Sequence, residues 1–210
     1  MASSRVEELT MSEWDGGVLP YSVGHKKLGI WLFIVSDALT FSALLMGYSY
    51  LRVATPHWPT PFHLWPSIAF STLMTFCLLS SSLTMVLAVN ASFRQDRAGT
   101  VRWILATMLG GLAFMILHLK EWNTLIHEGV TLVSNPWGTP LFGATFFGIT
   151  GLHMFHVFTG VLYLAGIAIG VAKGRFTAEH VEVCGLYWHF VDLVWMFVFP
   201  LVYLLSVQMH

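Results

Sequence analysis

Charge is what this sequence has least of. Only 10% of its 210 residues are Asp, Glu, Lys or Arg, while 56% are hydrophobic; an average soluble domain carries about 25% charged residues. A soluble fold of this size has no room to hide so much apolar surface. The scarcity is also local, since residues 129–172 contain no Asp, Glu, Lys or Arg and residues 66–89 are likewise uncharged. Both stretches exceed the roughly 20 apolar residues that a helix needs to cross a bilayer. Cysteine is nearly missing. Cys77 in mid-span and Cys184 at the edge of another span have no metal-type spacing, which excludes a disulfide framework and predicts two free thiols. The first 24 residues lack the basic start and apolar core of a signal peptide and carry Glu7, Glu8, Glu13 and Asp15 instead, so they read as an aqueous tail. The basic residues are spread over loops rather than gathered in a patch, so no nucleic-acid partner is expected. Internal repeats, a phosphate-binding glycine loop and a Ser-His-Asp arrangement are all lacking.

What is there reads as an all-α polytopic membrane protein, a bundle of five transmembrane helices over residues 25–210 behind the 1–24 tail. The spans are expected at about 28–51, 66–90, 102–121, 140–172 and 184–208. Pro56, Pro59 and Pro61 block regular structure after the first span, and Pro66 opens the second at a position where its missing N–H is harmless. The outer end of the third span is open, because the helix could continue through His127. Thr139-Pro140 reads as N-cap and first turn of the fourth. That helix is roughly 50 Å long at 1.5 Å per residue, well beyond a hydrocarbon core of about 30 Å, and must tilt or project. Pro200 should kink the fifth. Of the ten Lys and Arg residues, eight (Arg5, Lys26, Lys27, Arg94, Arg97, Arg102, Lys173 and Arg175) fall on the amino-terminal side and two (Arg52 and Lys120) on the other. This bias places the amino terminus in the cytoplasm and the carboxyl terminus outside. Small residues four apart (Ala38 with Ser42, Ala106 with Gly110, Ala144 with Gly148, Gly166 with Gly170) would support helix contacts.

Ionisable residues inside spans are where chemistry is sought. A carboxylate at membrane depth costs roughly 2.5 to 3.5 kcal/mol on insertion scales, yet Asp37 and Asp192 both lie in the cytoplasmic half. Two readings stand: a proton-accepting or proton-relaying surface, or interhelical hydrogen bonds that hold the bundle together. His189 and Asp192 are three apart on one helical face, near enough to bond each other or a shared partner. His153 and His156 share a face of the fourth helix, and with His118, Glu121, His189 and Asp192 they form a conceivable ligand set for a metal. The depths of these residues differ, which favours the alternative of buried histidines bonded to carbonyls and carboxylates. Glu121, His127 and Glu128 suggest an outer vestibule or a solvated loop. Arg175, His180 and Glu182 at the cytoplasmic edge suit phospholipid headgroups, although basic residues there also follow from the topology. Trp65, Trp103 and Trp137 read as interfacial anchors.

Four motifs, in order, carry a resemblance to a known family. Leu28-Gly29-Ile30-Trp31-Leu32-Phe33-Ile34-Val35-Ser36-Asp37, Glu121-Trp122, Phe146-Phe147 with Thr150-Gly151-Leu152-His153-Met154-Phe155-His156-Val157 and Gly160, and Glu182 with Tyr187-Trp188-His189-Phe190-Val191-Asp192-Leu193-Val194-Trp195 resemble subunit III of the haem-copper terminal oxidases. The resemblance covers nearly all of the chain from Leu28 onward. It implies a non-catalytic subunit of an oxidase that reduces oxygen to water in aerobic respiration and pumps protons. Such a subunit binds no haem or copper itself, those being expected in partner subunits. It would bind catalytic subunit I and the rest of the complex, with a respiratory supercomplex as a larger assembly compatible with that role. It would also hold structural phospholipid and support proton uptake and sustained turnover. Asp37, Glu121, His153, His156, His189 and Asp192 would be the buried polar residues serving proton uptake or structure, and Arg175, His180, Glu182 and Trp188 the lipid-headgroup candidates. Three departures matter: five helices where many members have seven, Asp37 where cytochrome c oxidases usually have glutamate, and Met154 where glycine is frequent. The donor is expected to be cytochrome c, with a quinol oxidase or a nitric oxide reductase as alternatives.

Overall fold

Helix boundaries follow from where backbone groups at the ends find partners. The computed structural model describes residues 24–208; the tail expected at 1–24 lies outside the described residues apart from Gly24. Five helices long and apolar enough to span a membrane are present among them: α1 (His25–Ala54), α2 (Ala69–Phe93), α3 (Arg97–His127), α4 (Pro140–Ala172) and α5 (Ala178–Val198). Ahead of α2, Trp65 is extended (φ −132°, ψ 128°) and Pro66 lies in the helical turn Leu64–Ile68 that runs into it.

α3, and α5 at its start, extend beyond the apolar pattern, because polar residues at their ends complete the helices. α3 starts at Arg97 rather than 102, since the Asp96 carboxylate accepts the Gly99 N–H at 2.9 Å. It continues to His127, and Gly129 (φ 88°) then lets Val130 N–H reach back to the Leu125 carbonyl. α5 starts at Ala178 rather than 184, with Thr177 and His180 forming a reciprocal cap. It ends early. Pro200 converts Phe199–Tyr203 into a π-helical turn, and Gln208, expected in the span, instead donates its backbone N–H to the Phe62 carbonyl at 3.0 Å. Thr139 does sit before Pro140, but its hydroxyl reaches the His57 carbonyl rather than capping α4.

α2, α3, α4 and α5 form a closed four-helix arrangement in which each packs on the next, and α1 lies against α4 and α5. The best-buried hydrophobic windows are those of α4 (56%) and α5 (50%), against 11% for α1, so the core lies along α4 and α5 and α1 is peripheral. Trp188 locks this arrangement. Its side chain is 1% exposed, its indole N–H donates to Ser81 Oγ on α2 at 3.0 Å, and its ring lies against Gly111 of α3 and Gly160 of α4. α2 and α3 are in close approach at Gly110, where an added Cβ would meet the Ser81 side chain and the Cys77 carbonyl. Gly148 and Gly166 face open space, whereas Gly170 packs against the Phe176 ring. Trp65, Trp103 and Trp137 are exposed, as membrane-interface anchors are. Cys77 and Cys184 are free thiols.

Candidate functional site

The buried polar groups fall into three sets, each placed by a pair of helices. The end of the bundle where α1, α3 and α5 begin carries Lys26, Lys27, Arg94, Arg97, Lys173 and Arg175 and is called the basic end below.

The first set joins α1 to α4. His156 Nε2 lies 3.3 Å from Asp37 Oδ2, with His156 11% and Asp37 12% exposed. The other ring nitrogen, His156 Nδ1, is 2.8 Å from the Leu152 carbonyl; a carbonyl only accepts, so Nδ1 carries a proton. In a neutral ring Nε2 would then be a bare acceptor facing a second acceptor. Asp37 Oδ2 is buried and makes no hydrogen bond, so the two groups meet as a close polar contact, one that a proton on either of them would turn attractive. Phe41 packs edge-on to the imidazole at 5.6 Å, and Tyr187 donates to the His156 carbonyl at 3.0 Å.

The second set sits toward the other end. Glu121 of α3 is buried and accepts from Ser71 Oγ (2.6 Å) and Tyr203 Oη (2.7 Å), one bond to each carboxylate oxygen. His118 Nδ1 is 3.5 Å from Glu121 Oε2, too long for a good hydrogen bond. The carboxylate lines a cavity of about 460 Å³ together with Lys120, Glu128, His63, Trp137 and Gln208. Glu121 and Glu128 thus face one cavity; His127 is not among its walls.

The third set joins α2 to α5. His189 Nδ1 is 2.6 Å from Ser82 Oγ, and Ser82 is also the polar neighbour of Asp192. His189 and Asp192 do not bond each other; the hydroxyl of Ser82 on α2 is the partner of His189. Asp192 Oδ1 is buried without a hydrogen-bond partner. Asp37 and Asp192, similar in depth, do not meet either, because each faces a different helix.

His153 and His118 stand apart from these sets. Both are fully buried and neither ring nitrogen of either has a hydrogen-bond partner, which corrects the expectation of histidines satisfied by carbonyls. They are held instead by rings: His153 stacks on Trp195 at 4.9 Å and His118 on Phe114 at 5.6 Å. Among the described residues, no three His, Cys, Asp or Glu side chains converge as metal ligands do, so the histidines do not form the ligand set their spacing suggested.

At the basic end, Glu182 pairs with Lys27 at 2.9 Å and Glu179 with Lys26 at 3.4 Å. His180 is engaged with Thr177 and Lys26, and Arg175 is exposed. Trp188 is corrected: a residue 1% exposed with its N–H committed to Ser81 has nothing to offer a lipid headgroup. The polar partners that sequence reading missed are the hydroxyls of α2 and the phenol of Tyr203. Ser71, Thr75 and Ser82 lie on one helical face; Trp188 and His189 reach Ser81 and Ser82, and Trp195, two turns further along α5, reaches Thr75, as antiparallel helices require. That hydroxyl periodicity was the available signal. Tyr203 had none, because its direction depends on the turn after Pro200.

Residues 18–207 match the family model described as cytochrome c oxidase subunit III. Among curated relatives, a quinol oxidase subunit 3 of Bacillus spizizenii is 34% identical, over 85% of this chain and 86% of the relative. A cytochrome c oxidase subunit 3 of Alkalihalophilus pseudofirmus is 33% identical over 87% and 88%. A cytochrome bo(3) ubiquinol oxidase subunit 3 of Pseudomonas putida is 31% identical over 86% of each.

Proposed function

The chain belongs to the cytochrome c oxidase subunit III family, and on that premise we propose that it is a non-catalytic subunit supporting proton uptake and sustained turnover in a haem-copper oxidase. Haem and copper belong to the catalytic partner, subunit I, in this reading. The observation that supports it is the Asp37–His156 pair. A carboxyl and an imidazole 3.3 Å apart, about a tenth exposed in the half of the bundle nearer the basic end, are suited to taking up and releasing a proton. The positive-inside rule puts the basic end in the cytoplasm, from which an oxidase draws its protons, and the carboxyl terminus outside.

Structural phospholipid fits the same end. Arg175, His180 and Glu182 border it, and a groove of about 430 Å³ between α2 and α5 is lined by Asn90, Phe93, Glu182, Leu186 and His189. Acyl chains suit the apolar wall and a headgroup the polar rim.

The test is Asp37→Ala in the purified oxidase. Assembly should be retained while proton uptake slows or inactivation during turnover quickens. Unchanged steady-state rate, pumping and inactivation kinetics would remove Asp37 from the account. Quinol is the second reading for the electron donor, favoured by Asp37 itself, since Ser36-Asp37 is similar to quinol oxidase sequences. Oxygen consumption with cytochrome c and with quinol separates the two.

A further inference from the structure

Glu121 plays no part in the Asp37–His156 reading, although its carboxylate is 8% exposed on the wall of a cavity of about 460 Å³. Segments far apart in the sequence build that cavity: Phe62 before α2, Phe70 within it, the end of α3, and Trp137 in the loop that follows. Gln208 closes it, its backbone N–H donating to the Phe62 carbonyl at 3.0 Å. The size is that of a small-molecule site. Ser71 Oγ at 2.6 Å and Tyr203 Oη at 2.7 Å donate to the carboxylate, distances typical of hydroxyls on an ionised acceptor. They fill two of its roughly four lone-pair positions. Both donors are neutral, and His118 Nδ1 at 3.5 Å is too distant for a good hydrogen bond. Among the described residues no Lys or Arg pairs with Glu121; Lys120 turns its ammonium over the Phe70 ring instead, 5.5 Å from the centroid. With Lys120 against Glu121 and Glu128, the lining keeps one negative charge in excess.

We propose that this cavity binds an organic cation, an ammonium or guanidinium group on an apolar stem, with the charge at Glu121 and the stem against Phe62, Phe70 and Trp137. A carboxylate taken out of water is costly unless an opposite charge pairs with it, and the open lone pairs of Glu121 give such a charge its acceptors. Aromatic faces attract cations at close range, as Phe70 already does for Lys120. A metal ion fits poorly: among the described residues no three His, Cys, Asp or Glu side chains converge on one point, and an apolar wall offers it no ligands. A neutral ligand would leave the carboxylate unpaired, and an anion would be repelled by it. Two sources carry the required group, a soluble amine and an amine-bearing lipid headgroup. The site stands whether or not the chain works in an oxidase, since the cavity and its charge belong to this chain alone.

The test is equilibrium dialysis of radiolabelled 2-phenylethylammonium against the purified full-length protein with its co-purifying subunits, with 2-phenylethanol as the neutral analogue. Wild type should bind the ammonium saturably and about tenfold or more tightly than the alcohol, the effect of one charged hydrogen bond. Glu121→Gln keeps an oxygen that accepts from a hydroxyl, and should weaken the ammonium by about tenfold or more while leaving the alcohol unchanged. Where Glu121→Gln fails to fold or assemble, Thr124→Trp is read instead: Thr124 is exposed on the cavity wall, and the larger side chain should fill the space and abolish binding. Dialysis in nanodiscs of phosphatidylcholine, with and without phosphatidylethanolamine, separates the sources. Probe binding lost only with phosphatidylethanolamine assigns the site to a lipid headgroup, and equal binding in both assigns it to a soluble amine. No saturable binding to wild type in detergent, equal affinity for the alcohol, or wild-type binding in the assembled variant overturns the proposal.

Discussion

Replacing Gly111 with alanine adds one methyl group at the point where α3 meets Trp188. An added Cβ would lie 2.5 Å from Trp188 Cη2 and 3.1 Å from Val161 Cγ2. The indole has no direction in which to retreat. Its far edge is already about as close to Gly160, where a Cβ would lie 3.0 Å from Cζ3, and its N–H is fixed by Ser81. Overpacking of this kind costs about 1 to 3 kcal/mol, whereas Gly→Ala inside a helix gains about 0.5 to 1 kcal/mol. Gly148→Ala isolates the second term, since nothing lies within 4 Å of a Cβ there. Subtracting the two variants cancels helix propensity and leaves the packing term, so Gly111→Ala should be less stable than Gly148→Ala by about 1 to 3 kcal/mol. Chemical unfolding of both proteins in the same detergent measures the difference. Equal stability, or a more stable Gly111→Ala, would show that Trp188 is not gripped between α3 and α4 and would refute the packing scheme.

Two further outcomes follow from the hydrogen bonds of α2. Tyr203→Phe removes one of two donors to a buried carboxylate and should destabilise by about 1.5 to 3 kcal/mol; Ser71→Ala should do likewise, and denaturation midpoints of both variants check this. Ser82 and His189 should show a coupling energy of about 0.5 to 1.5 kcal/mol in a double-mutant cycle, while His189 and Asp192, which make no hydrogen bond to each other, should couple more weakly; the reverse order would restore them as a direct pair.

The reach of the sequence differed from residue to residue. Long uncharged runs made the five spans plain, because a bilayer leaves few other ways to satisfy both backbone and side chains. Pro66, Pro140 and Pro200 marked turns through an effect that is local to the residue itself. The depth of Asp37 was legible, but its partner was not: His156 lies on another helix, and depth says nothing about which way a helix is rotated. The same limit hid Ser82, Ser71 and Tyr203. Trp188 was misplaced for a related reason. An aromatic residue near a span end suits the interface equally well as a core, and only the glycines facing it from α3 and α4 decide between them. His118 and His153 defeated the rule that buried polar atoms find partners, because aromatic rings of Phe114 and Trp195 surround them where the sequence suggested carbonyls.

The most direct test of the account is purification of the tagged chain from its own membrane in mild detergent, followed by a reduced-minus-oxidised spectrum and oxygen uptake with cytochrome c and with quinol. A haem-bearing partner that consumes oxygen with one of these donors is the predicted result. Absence of any haem partner, or a partner that consumes nitric oxide instead of oxygen, would contradict it.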